Sequence, residues 1–497
     1  MKKLYLILSL LFVPIMFFGC SSKDVIQKVS ENCDCYKITA SLNTQEKTLS
    51  ATEQFFWTNK TQDTLSSVLF HLHPNAFKEG AKTNYAVSQT QENRAYSGEK
   101  DYGGITINSV FCGENSLNFK VLGEDEHLLE VELNEAILPK KSTVIKIDFS
   151  LDIPKVNHRF GYGDNTINLG NFYPILSVYE NGEWNRQGYL SSGDPFYSKV
   201  ANYEVSLSYS DDYSLKSTGN LMTESAKNGQ KTSVYSALAV RDFAMVLSKD
   251  FKEISQKVDE TLVSYSYYED ENPEVHLKTA VDSLNTFNEL FGAYPYKTLC
   301  VVKTNFLHGG MEYPNLVYVS DQITNESEYN NVIVHEIAHQ WWYGLVGNNE
   351  LKYGFIDEGL AEYSTALFYE MNDGYAATKE EVIGNALSSY MLFCDVFKEV
   401  YGELNSQMNR DIQTFNTETE YIYLTYVKGL LMFDSIENTI GQKRMLKCLK
   451  GMVSDYAFCE ITPKEMIECF EKYSKRNLQS FITSWLDGSV ILEEIQQ

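Results

Sequence analysis

The stretch that decides the reading of this chain is His335-Glu336-Ile337-Ala338-His339, set in a segment, 332–346, that is dense in apolar residues and free of proline. On a helix, side chains four apart share one face, so both imidazoles can reach one ion, with Glu336 one position round from the first. A catalytic zinc needs a third protein ligand and an open fourth position. Downstream comes Phe355-Ile356-Asp357-Glu358-Gly359-Leu360-Ala361-Glu362-Tyr363, which reads as a second helix. Folded back beside the first, it aims Glu358 at the same point. Two His and one Glu then complete one zinc site per chain, with Glu336 as general base toward a water. Glu362, one turn after Glu358, reads first as an ordinary helix carboxylate and only second as a brace for a ligand.

Working outward, the residues before this site change period. Ile145, Ile147, Phe149, Leu151 and Ile153 alternate with Lys146, Asp148, Ser150 and Asp152, and Tyr203, Val205, Leu207 and Tyr209 alternate with Glu204, Ser206 and Ser208. Such segments are strands with one wet face. Later, Leu277, Val281, Leu284, Phe287 and Phe291 recur at helical spacing, and Gly292 and Pro295 end that helix. Strands are expected over 299–302 and 316–320, and helices dominate the remainder. The fold class is therefore multidomain α+β: a polar spacer over 21–36, a β-sandwich-like domain over 37–255, and a mainly helical catalytic domain over 256–497.

Length and composition allow this. A chain of 497 residues, 43% hydrophobic and 22% charged, can bury a large core. A net charge of −25 with no basic cluster excludes nucleic acid as a partner. Lys2 and Lys3 precede an apolar run from Leu4 to Phe18, shorter than a membrane span and interrupted by Pro14, as in a secretory signal. The junction Gly19-Cys20-Ser21-Ser22 resembles a bacterial lipobox, although Phe17 and Phe18 depart from the usual residues. That resemblance implies acylation at Cys20 and a chain exported and tethered to a membrane by lipid, or secreted if not acylated. The other eight cysteines contain no C-x-x-C pair, so a Cys-based metal site is not indicated, and Cys33 and Cys35 are too close for an easy mutual bridge.

Four elements in order resemble the aminopeptidase N family of gluzincin zinc aminopeptidases: Gly309-Gly310-Met311-Glu312-Tyr313-Pro314, the His-Glu helix with trailing Gln340-Trp341-Trp342, the Asp-Glu-Gly helix, and Tyr426-Val427-Lys428-Gly429. Gly193-Asp194-Pro195-Phe196-Tyr197 extends the likeness loosely into the β-rich half. The resemblance implies a thermolysin-like catalytic domain that removes the N-terminal residue of peptides. It assigns Tyr426 to the oxyanion and Glu312 to the substrate's ammonium group, with Gly309, Gly310 and Met311 alongside the peptide. Tyr313 stands where larger members often have Asn, so contacts of that Asn do not carry over. Two other readings share these residues: a zinc endopeptidase, which has no ammonium to bind, and an inactive peptide-binding surface lipoprotein. His71 and His73 lack an evident acidic or Cys partner for a second metal, and His308 lies either in the cleft or on an exposed turn.

Overall fold

The computed structural model describes residues 22–81, 86–490 and 492. Cys20 and the signal-like segment before it lie outside the described residues.

Alternating apolar residues build the first domain. Asp34–Asn43 and Thr48–Thr58 pair antiparallel at the centre of an eight-stranded sheet, which continues through Ser142–Asp152 on one side and Ala201–Ser210 on the other. The inward row of Thr48–Thr58 buries Leu49, Ala51, Glu53, Phe55 and Trp57. Among the described residues, two four-stranded sheets and a two-stranded hairpin, Tyr179–Glu180 with Glu183–Trp184, complete the domain. One contains Leu65–His71 and Leu128–Ile137; the other contains Ile167–Gly170 and Ala244–Ser248. The Leu176 N–H donates to the Tyr36 hydroxyl at 3.0 Å, tying a small sheet to the large one. The expected inward residues Ile145, Ile147, Phe149, Leu151 and Ile153 are all buried.

Two boundaries differ from the sequence reading. The expected spacer is structured: Ser22–Ser30 is helical, and Asp34 already pairs with Ala201. Polarity there reflects a short helix with one wet face. The domain break falls before residue 252, not at 255. Lys252–Val258 pairs with Thr261–Tyr267, which lies parallel to Thr298–Thr304 in a five-stranded sheet of the second domain. Period two reveals a strand but not the sheet it joins.

In the second domain, Pro273–Phe291 is the expected amphipathic helix, closed by Gly292 at φ +117°. Thr298–Thr304 and Leu316–Ser320 pair in parallel, and Gly310–Met311 adds an antiparallel edge. The helix Glu326–Ala338 starts where the Asn325 side chain accepts the Glu328 N–H and stops at Ala338. The apolar density beyond it belongs to a buried turn holding Trp341 and Trp342, and Val346–Asn348 is a short strand paired with Cys459–Ile461. Helices Asp357–Met371, Lys379–Tyr401, Lys428–Ile440, Gln442–Tyr456, Pro463–Ser474 and Gln479–Leu486 follow. One hydrophobic core runs through both domains. Among the described residues, all eight cysteines are free thiols and no helix is long and apolar enough to cross a membrane.

Candidate active site

Helix Glu326–Ala338 presents His335 and, at its C-cap, His339, whose αR backbone keeps both rings on one side. Glu358 comes from the first turn of Asp357–Met371. His335 Nε2 and His339 Nε2 lie 3.1 Å apart, and Glu358 Oε2 lies 3.3 Å and 3.2 Å from them. Bonds of about 2.0–2.1 Å in a tetrahedron place neighbouring ligand atoms about 3.3 Å apart. This triangle therefore fits zinc without rearrangement, and it is the only cluster of three or more His, Cys, Asp or Glu of this kind among the described residues.

The outer nitrogens are fixed as a metal requires. His339 Nδ1 lies 2.9 Å from the Trp342 carbonyl, and His335 Nδ1 lies 3.3 Å from Glu362 Oε1. Both acceptors favour Nδ1–H and leave the Nε2 lone pairs free. Of the two readings of Glu362, the brace is the one found. Burial draws Glu358 upward, but the two imidazoles pull it down to about 2. Burial lowers His339, and the Glu358 and Glu312 carboxylates override that to hold it near 10.

Glu336 points into a cavity of about 250 Å³ lined also by Gly309, Gly310, Glu312, His335, His339, Glu358 and Tyr426. Burial raises its carboxyl to about 7 against the pull of His335 and His339, and Oε2 has no partner among the described residues. Gly310 makes room for it, because a Cβ there would collide with the Glu336 carboxylate. Glu312 is buried at 4% exposure with Oε1 unpartnered, and desolvation, with Asp194 adding repulsion, holds it well above the ordinary carboxylate range. Met311 is buried beside it on the edge strand. The Tyr426 hydroxyl donates to Glu358 Oε1 at 2.6 Å from a π-helical turn, Tyr423–Val427.

His308 lines the cavity instead of an outer turn. His71 and His73 stack at 5.2 Å, buried in the first domain, and join no metal-ligating group among the described residues. Sequence reasoning missed the contribution of the first domain: Gly193, Asp194 and Arg159 also line the cavity, with Arg159 Nη1 donating to Asp194 Oδ1 at 2.8 Å. The Gly193-Asp194-Pro195 stretch carried a faint signal; Arg159 carried none.

Residues 275–485 match the Peptidase family M1 domain. Aminopeptidase B of Rattus norvegicus is 26% identical over 195 residues, covering 38% of this chain and 30% of the relative. Leukotriene A-4 hydrolase of Xenopus laevis is 25% identical over 221 residues, covering 44% and 35%. The alignments thus span about a third of the length of these relatives. The fold of the chain is that of the M1 zinc metallopeptidase of Deinococcus radiodurans, with a TM-score of 0.66 at 14% identity over 93% of this chain and 95% of that one. A single-residue mutant of that enzyme, bound to a Tyr-Ser-Ala substrate, superposes with a TM-score of 0.62 at 13% identity over 94% and 96%.

Proposed function

We infer that this chain, whose residues 275–485 match the Peptidase family M1 domain, is a zinc-dependent aminopeptidase that releases the N-terminal residue of peptides. The observation that carries the reading is a buried, unpartnered Glu312 carboxylate in the cavity that also holds the His335–His339–Glu358 triangle. An endopeptidase has no use for a carboxyl buried there, whereas a free N-terminus brings the cation that would hold it ionised.

Zinc held by the triangle would acidify a water and polarise the scissile carbonyl. Glu336, adjoining His335 and facing the cavity, accepts the water proton and returns it to the leaving amine. Tyr426, its hydroxyl held at the site by Glu358, is the donor toward the oxyanion, a contribution of about a hundredfold to a thousandfold in comparable sites. Glu312 fixes the substrate ammonium and so places the first peptide bond over Glu336. Gly310–Met311 is the edge strand of its sheet, available to pair with a peptide, and Gly310 leaves room for the Glu336 carboxylate beside it. The intact set of Glu336, Tyr426 and three ligands argues against an inactive binding protein.

Glu312→Ala tests the reading. Rates on free-amine peptides should fall by about 30-fold or more, as when one partner of a buried charge pair is truncated, with metal content unchanged. An unchanged free-amine rate would remove Glu312 from recognition. Acylation of Cys20 is a separate proposal, supported by the lipobox-like junction. Cys20→Ser should shift the protein from the membrane fraction to the soluble one, and a wild-type chain already soluble would rule it out.

A further inference from the structure

Tyr343 has φ +116°, the largest positive value of any non-glycine residue described, in a region that side chains rarely occupy. It follows directly on Trp342, whose carbonyl receives His339 Nδ1. The torsion φ of Tyr343 sets the plane of the 342–343 peptide against the rest of Tyr343. That plane carries the oxygen that orients His339.

Both far ends of Tyr343 are held by the first domain. Arg241 Nε donates to the Tyr343 carbonyl at 2.5 Å, and the Tyr343 hydroxyl donates to Asp242 Oδ2. Arg241 is only 2% exposed and is itself fixed: Nη1 donates to Glu460 Oε1 at 2.5 Å and Nη2 to the Cys459 carbonyl at 2.8 Å. Gly347 is required beneath it, since a Cβ there would strike the guanidinium. Asp242 has a second branch. Its Oδ1 accepts from Asn171 Nδ2 at 3.2 Å, and Asn171 Oδ1 accepts from the Tyr313 hydroxyl at 2.7 Å. Tyr313 is the neighbour of Glu312, and Gly170 leaves space where a Cβ would meet its hydroxyl.

We propose that Arg241 and Asp242 are positioning residues through which the first domain completes the active site. One branch, through Tyr343 and the Trp342 carbonyl, sets the ring of His339. The other, through Asn171 and Tyr313, sets the backbone that carries Glu312. The proposal rests on the metal-site reading above. It assigns the β-rich domain a part in the chemistry besides forming one wall of the cleft.

The test uses the full zinc-loaded chain. Tyr343→Phe removes one hydroxyl and weakens only the first branch, leaving the Arg241 bond to the Tyr343 carbonyl in place; Asp242→Asn disturbs both. Tyr209→Phe is the control, because it deletes a buried first-domain hydroxyl bonded to Ser233, outside both branches. Zinc loss to excess chelator should be about tenfold or more faster in Tyr343→Phe and Asp242→Asn, matching the usual cost of removing a partner behind a metal ligand, and unchanged in Tyr209→Phe. KM for a free-amine peptide should rise severalfold in Asp242→Asn only. Wild-type zinc-loss rates in both branch variants, or equal acceleration in the control, would overturn the proposal while leaving the metal site intact. A wild-type chain that holds no zinc would instead overturn the functional reading along with it.

Discussion

Glu53 sits between Ala51 and Phe55 in an inward-facing row, and neither of its oxygens has a hydrogen-bond partner among the described residues. Desolvation pushes its carboxyl well above the ordinary range, so the folded chain keeps it protonated where the unfolded chain would ionise it. Its contribution to stability is then present below about pH 4.5 and is lost as pH rises toward the folded value, at up to about 1.4 kcal/mol per pH unit. Glu53→Gln cannot ionise and should gain stability relative to wild type between pH 5 and pH 8, read from urea midpoints. A difference that does not change with pH would mean that Glu53 is already charged in the fold. Alternation carried no warning of this residue, because Glu in such a row reads as a wet-face position. The metal ligands were legible for the opposite reason. His335 and His339 are defined by a local spacing, and Glu358 by a short segment that a helix must place beside them. Glu362, Arg241 and Asp242 act through bonds made at sequence separations of 27, 102 and 101 residues.

At the scale of elements, two glycines decide where Tyr426 stands. Helices Asp357–Met371 and Lys428–Ile440 cross with Gly429 against Gly359; a Cβ on Gly429 would come 2.8 Å from the Gly359 Cα. The close crossing brings the π-helical turn Tyr423–Val427 over Glu358. Gly429→Ala should therefore force the helices apart, costing about 1–3 kcal/mol in stability and lowering kcat with metal content retained. A melting curve, a zinc assay and steady-state rates check this together, and an unchanged kcat would show that the crossing does not position Tyr426. The sequence identified both segments and the order in which they occur. It did not reveal the π turn, which depends on tertiary packing, or the end of the histidine helix at Ala338, where apolar density continues into a buried turn.

At the scale of the molecule, the cleft is a joint product of two domains. The second supplies His335, Glu336, His339, Glu358, Tyr426 and Glu312; the first supplies Arg159, Gly193 and Asp194 to the same cavity. The fold class followed from the change of period along the chain, whereas the seam between the domains did not, because a strand's sequence does not name its neighbour. In the proposed function this cleft hydrolyses the first peptide bond by holding a free ammonium group beside zinc. The most direct measurement compares the zinc-loaded protein's rates on a short peptide and on its N-acetylated copy. The free N-terminal amino acid should be released from the first, with rates at least about thirtyfold lower on the second. Equal cleavage of the two would contradict it and favour an endopeptidase.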